Sequence, residues 1–249
     1  MTAGGGPVDK LVKEFVDVDL SGAFFRQADL SGVRMRGVLL IGGDIDGVIG
    51  GLRVNGVAVA PLIEAELDRL HPERTKLRPT TVDGMREAWA VVRSFWAETM
   101  ARVRTRPEAD LHRSVDGEWS FVQTMRHLVF VTDAWYGHAV AGRAAPYHPL
   151  GLPPSFVGDG AAFGIDVAAE PRFEEVVVAR EDRLGQVADF LATVTQDELD
   201  REREPNEAPG WPPPERRTAA SCLRVIFNEE WAHHRFAVRD LAAVTEAVE

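Results

Sequence analysis

Apolar positions recur along this chain with two different periods. Between Phe15 and Gly47 the step is five residues, through Phe15, Leu20, Phe25, Leu30, Met35, Leu40 and Ile45. A small or β-branched residue stands two places before each of the last six: Val18, Ala23, Ala28, Val33, Val38 and Gly43. A helix repeats near 3.6 residues and a strand at 2, so a step of five predicts a repeat architecture built from VDLSG, AFFRQ, ADLSG, VRMRG, VLLIG and GDIDG. From Pro61 to Leu70, a proline in the first turn and apolar Leu62, Ile63, Leu67 and Leu70 predict a short helix. The polar stretch that follows, HPERTKLRPTTVDG, reads as a connection.

Beyond it the period becomes helical. Residues 83–105 carry Met85, Trp89, Val92, Phe95, Trp96 and Met100 on one stripe. A second helix starts at Ser120, whose spacing to Gln123 is that of a capping box, and stops near Gly142. A third spans about Phe173 to Leu191 and a fourth about Arg217 to Ala243. All four are long enough for a bundle. Helices two and three are joined by roughly 30 residues rich in Pro and Gly, well beyond the two to eight that link adjacent antiparallel helices. Such a link reaches roughly 100 Å against a helix of about 35 Å, so it can cross the bundle and permit an up-down-down-up course. The predicted fold is mainly α, a four-helix bundle preceded by a short β repeat. The segments are a tail (1–14), the repeat (15–57), a short helix and linker (58–82) and the bundle (83–249).

Composition narrows the function. The net charge of -11 repels phosphate backbones and anionic lipid surfaces, which argues against nucleic acid and membrane partners. Cys222 is the one cysteine, so no intramolecular disulfide and no thiol-rich metal site is available. With neither a signal peptide nor a membrane-length apolar run in the sequence, the expected location is the cytoplasm. Oligomeric state is open, a homodimer included.

The chemistry concentrates in NEEWAHHRFAVRDL, residues 228–241. Residues four apart on a helix point the same way, so Glu229 with His233, or Glu230 with His234, can chelate one cation. His127, among Met125, Leu128, Phe130 and Val131 on the second helix, is the natural third ligand. A fourth position would stay open for water or substrate. Helix geometry alone leaves both registers standing. One carboxylate and two imidazoles suit zinc first, with nickel, iron or manganese as alternatives. His138 lies roughly 16 Å further along the helix axis from His127, too far to share an ion, and reads as a packed or surface residue. His148 reads as a turn residue, Cys222 as a small buried hydrophobe and Trp119 as core. Trp231 stands equally as core or as a neighbour of the metal. The charge runs REDR (180–183) and REREPNE (201–207) read as solvated surface.

GEWSFVQTMRHLVFVTDAW and LRVIFNEEWAHHRFAVRDL resemble the DinB superfamily near its mycothiol-dependent maleylpyruvate isomerases, over roughly residues 83–243. The resemblance implies an up-down-down-up bundle that binds a divalent metal through one histidine on the second helix and a Glu/His or His/His pair on the fourth. In the pattern E-x-W-x-H the matching positions are Glu229, Trp231 and His233, which favours that register with His127. It further implies a low-molecular-weight thiol, of mycothiol or bacillithiol type, delivered to a small electrophile by an S-transferase or isomerase. The five-residue units resemble the pentapeptide repeats, which implies a quadrilateral β-solenoid with the central residue and the small one pointing inward. Some members of that family mimic DNA to inhibit topoisomerases; a segment of about one and a half coils is short for that role. The alternative is a non-enzymatic module whose repeat segment binds a protein partner while the metal is structural.

Overall fold

The computed structural model describes residues 14–25, 28–158 and 160–246. Most of the predicted tail, Arg26 and Gln27 of the AFFRQ unit, and the last three residues of the predicted bundle segment lie outside the described residues. The chain forms two compact units, residues 1–45 and 46–249.

In the first unit the backbone turns recur every ten residues, once per two of the five-residue units. The amides of Ala23, Val33 and Gly43 donate to the carbonyls of Leu20, Leu30 and Leu40 at 3.0, 3.0 and 3.1 Å. Inside these turns Gly22, Gly32 and Gly42 take φ of +74°, +75° and +71°, which glycine adopts without a Cβ clash. In the first two of these turns Asp19 and Asp29 each accept from the amide two residues on, at 2.9 Å, so VDLSG and ADLSG share one turn chemistry. The central apolar row stays open to solvent, from 43% exposure at Leu30 to 68% at Phe15. A repeat gains stability from stacked neighbours, and this one has few.

The second unit is mainly helical. After a two-residue hairpin, β1 (Arg53–Val54) with β2 (Val57–Ala58), comes α1 (Ala60–Leu70). The polar stretch expected to be a plain connection instead contains a 3-10 helix, Pro72–Leu77. Arg74 explains it: its guanidinium bonds Glu64 and Asp68 of α1 and lies 4.9 Å over the Trp231 ring. A buried guanidinium needs such partners, and the tight turn brings it to them.

Four long helices build the core: α2 (Val82–Val103), α4 (Phe121–Thr132), α5 (Phe173–Thr193) and α7 (Ala219–Glu246), with α3 (Glu108–Leu111) and α6 (Gln196–Asp200) as short intermediates. Thr81 caps α2 through its hydroxyl, which accepts from Gly84 at 3.1 Å. The capping box at Ser120 is formed in both directions, at 3.3 and 2.9 Å. Met85, Val92, Leu128, Val176, Val187, Leu223, Ile226 and Phe227 are essentially solvent-free. Each such side chain contributes about 1.5–3 kcal/mol of transfer free energy before the entropy of ordering it.

Contacts at the helix ends fix the neighbours. Arg86 early in α2 donates to the Leu191 carbonyl late in α5, Arg224 early in α7 to the Pro79 carbonyl, and Arg106 to the Leu241 carbonyl. Phe121 meets Phe173, and Tyr136 meets Phe190. α4 continues as a π-helical turn over Asp133–His138, and Gly142 ends it at φ +66°. The crossover to α5 is held by Arg126, which donates to the carbonyls of Leu150, Asp166 and Ala169 at 2.9, 2.7 and 2.5 Å. A second loop is pinned by the ladder between β3 (Glu202–Arg203) and β4 (Arg217–Thr218). Trp211 anchors it against Phe156.

The charge runs are not all surface. In REDR, Arg180 is buried against Glu230 and Arg183 reaches buried Asp133 at 2.9 Å. In REREPNE, Glu202 and Arg203 form a strand. Composition marks such runs as polar, but a bundle places an inward arginine wherever a carboxylate awaits it.

Candidate metal centre

His127 stands in the second turn of α4, started by the Ser120 cap. Glu229 and His233 stand one turn apart on α7, which packs against α4. Their three ligand atoms lie within 4.8 Å of one another and could hold one metal ion. Glu229 Oε2 is 3.2 Å from His233 Nε2 and 3.6 Å from His127 Nε2. Two donors bound at about 2.0–2.1 Å to one tetrahedral cation sit roughly 3.3 Å apart, between those values.

The hydrogen bond behind His127 decides which of its nitrogens faces the site. Nδ1 lies 3.0 Å from the Leu152 carbonyl, which can only accept, so Nδ1 carries the proton. Burial holds the imidazole below its ordinary pKa, against the pull of Glu229. The neutral ring then turns the lone pair of Nε2 toward Glu229. Burial opposes ionisation of that carboxyl, while donated hydrogen bonds and positive charge on the His127 and His233 side would hold it at about 2; a neutral His127 with its lone pair forward does not supply that pull, and a cation between the groups would. A lone pair facing a carboxylate is repulsive unless something positive stands between them. The donor set therefore fits a cation, and a carbonyl behind the histidine is the usual means of orienting a metal ligand.

Aromatic rings close the site. Trp119 packs on both imidazoles, with centroids 4.6 Å from His127 and 6.0 Å from His233, the latter stacked. Expected in the core, Trp119 is instead a half-buried wall of this centre. It precedes the Ser120 cap, so no helical period assigns it a face; its place follows from the turn that starts α4. Phe236 adds an edge contact 5.7 Å from His233.

The second Glu/His register goes elsewhere. Glu230 is solvent-free and receives both Nη groups of Arg180, at 3.1 and 2.6 Å. His234 bonds Thr99 at 2.8 Å and packs on Phe95 and Trp96 at 4.5 and 4.8 Å. Burial first, then the nearby Arg102 charge, lower its pKa to about 4. Neither meets His127.

Of the remaining candidates, Trp231 faces His71 and the guanidinium groups of Arg74 and Arg235, away from the three ligands. His138 is buried beside Asn206. His148 accepts from the Leu150 amide at 3.1 Å as a turn residue does. Cys222 is buried, and burial raises its thiol pKa.

Residues 91–237 match the sequence model of the DinB superfamily, and residues 14–49 match pentapeptide repeats in eight copies. No curated protein and no solved structure matches the chain.

Proposed function

This chain belongs to the DinB superfamily, and on that premise we propose that His127, Glu229 and His233 hold a divalent cation for thiol-dependent chemistry on a small electrophile. The observation that carries the reading is the convergence of the three ligand atoms from α4 and α7 on one point. Zinc suits one carboxylate and two imidazoles; nickel, iron and manganese are the alternatives. A divalent cation in an open site supplies Lewis acidity that lowers the pKa of a thiol or water. The chain's residues do the rest. Leu152 fixes the tautomer of His127, Glu229 contributes the negative charge, and Trp119 keeps solvent off one side of both rings. The thiol is of mycothiol or bacillithiol type and the reaction an S-transfer or isomerisation, carried out in the cytoplasm.

The same reading gives the bundle an up-down-down-up course, supported by the end contacts of α2 with α5 and α7. It makes residues 15–57 a short β-solenoid, supported by the turns at Gly22, Gly32 and Gly42. Among the described residues no helix is long and apolar enough to cross a membrane.

Elemental analysis of protein prepared without chelators, together with His127→Ala, Glu229→Ala and His233→Ala, tests the centre. About one divalent cation per chain, lost in each variant, is the expected result; only trace metal in the parent protein overturns it. Cobalt-substituted protein should change its visible spectrum on adding mycothiol. An unchanged spectrum removes the thiol from the proposal and leaves a structural metal.

A second reading rests on exposed apolar side chains of the first unit that stand beside the central row, Phe24, Leu39 and Ile41, which are 81%, 86% and 92% exposed. Surface of that kind suits a protein partner, with the bundle as scaffold. Deleting residues 1–45 separates the readings: thiol-transfer activity that survives favours the enzyme.

A further inference from the structure

A groove of about 250 Å³ lies between α2 and α5. On α2 its lining runs from Val92 to Arg104, three turns or about 18 Å, and on α5 from Val177 to Leu184. The floor is apolar: Val92, Trp96, Val177 and Leu184 are buried core residues, and Met100 stands beside them half-buried. Ala97 and Ala101 line it too, both exposed. Their side chains end at Cβ, so nothing from α2 fills the space above the floor.

Trp96 and Arg180 form the inner wall. Trp96 also packs on His234, and Arg180 holds Glu230, so the wall is backed by the Glu/His pair of α7 that faces away from the metal centre. None of His127, Glu229 and His233 lines the groove. The two sites are distinct.

The charged groups of the groove differ in how they are satisfied. Arg180 gives both Nη groups to Glu230, and Arg93 pairs at 3.0 Å with Glu181, the one carboxylate in the lining. Arg104, at the last turn of the α2 side, makes no ion pair and no side-chain hydrogen bond among the described residues. It stands so in a chain where 39 acidic residues face 28 basic ones. The groove therefore offers an apolar trough with one uncompensated cation at its end. Water solvates the cation but gains nothing from the trough; an anion that carries an apolar chain suits both. A cavity of about 150 Å³ takes benzene, so this one has room for roughly ten carbon atoms.

We propose that the groove between α2 and α5 binds one unbranched monocarboxylate of about eight to twelve carbons, its carboxylate on Arg104 and its chain along Met100, Trp96 and Val92. Decanoate, titrated calorimetrically into the full-length protein below its micellar concentration, should bind once per chain. Shortening the chain should weaken binding by up to about fourfold per CH₂. 1-Decanol and decyltrimethylammonium should bind about tenfold more weakly than decanoate or worse, because they forgo the charged hydrogen bond. These comparisons use the parent protein alone. Arg104→Gln should bring decanoate to the level of decanol. Ala97→Leu together with Ala101→Leu should fill the trough and abolish binding while the melting temperature holds, since leucine is a good helix former. Decanoate brominated on its chain should quench tryptophan fluorescence, and Trp96→Phe should remove most of the quenching. No saturable binding, equal binding of the three decyl compounds, or binding that the double leucine variant keeps overturns the proposal. Decanoate binding that vanishes when a chelator strips the metal would place the carboxylate on the metal centre and overturns it as well. So does a dimer of the parent protein that the double leucine variant dissolves, which would make a second copy of the chain the occupant.

Discussion

On α7, Glu229 and His233 face α4 and its His127, whereas Glu230 and His234, one residue further on, face α5 and α2. The two pairs have the same chemistry and spacing but opposite circumstances. Glu230 and His234 have protein partners that satisfy them, an arginine fork and a threonine hydroxyl. Glu229 and His233 have each other and a histidine whose lone pair points at a carboxylate. A paired buried charge is a feature of packing; an array of converging lone pairs is an arrangement that could hold a cation. The difference lies in what each pair meets, and the helix that carries them is common to both.

The comparison can be broken most forcefully from the Glu230 side. Glu230→Gln leaves the Arg180 charge buried without its partner, which should cost about 3–5 kcal/mol and show as a large fall in melting temperature. Metal content per folded chain should stay near that of the parent. If stability is lost only together with metal, the two registers are not separate. From the other side, His233→Ala should weaken metal binding by about 100-fold or more while moving the melting temperature of the metal-free protein little, as competition with a chromophoric chelator would measure.

Acid sharpens the contrast. His234 is held neutral, at about 4 against an ordinary 6.5, so the unfolded chain binds its proton more readily than the folded one. Its contribution is fully present above pH 6.5 and is lost as the pH falls through 4, about 2 kcal/mol after allowing for its partial exposure. Metal-free His234→Asn should show a shallower loss of stability across that window than the metal-free parent; identical slopes in chemical denaturation would remove His234 as the source. The smallest effect concerns the helix start. Ser120→Ala should cost about 1 kcal/mol and, by loosening the turn that carries Trp119, weaken metal binding slightly more than stability alone predicts.

Much of this architecture was legible in the chain. The α2 stripe, the cap at Ser120 and the span of α5 follow from local rules, because helix period and capping depend on neighbours in sequence. The Glu/His spacing was legible for the same reason, but the register was not, since two faces of α7 only 100° apart each carry a Glu and a His. Resemblance to a family selected Glu229 and His233 where geometry could not. Trp119, Arg180 and Arg74 were not legible as what they are, because each acquires its role from a residue distant in sequence: the imidazole of His233, the carboxylate of Glu230 and the ring of Trp231. The π-helical turn at Asp133–His138 was invisible too, as no residue type enforces it.

Arg126 and His127, adjacent on α4, together grip carbonyls of Leu150, Leu152, Asp166 and Ala169. The long passage from α4 to α5 is thus a splint set against the helix, and its peptide groups belong to the histidine's surroundings as much as any side chain does. Lengthening that passage at Ala161–Phe163, away from the gripped carbonyls, would leave the splint in place; shortening it past Leu152 would free the ring to rotate and dissolve the centre while the bundle still stood.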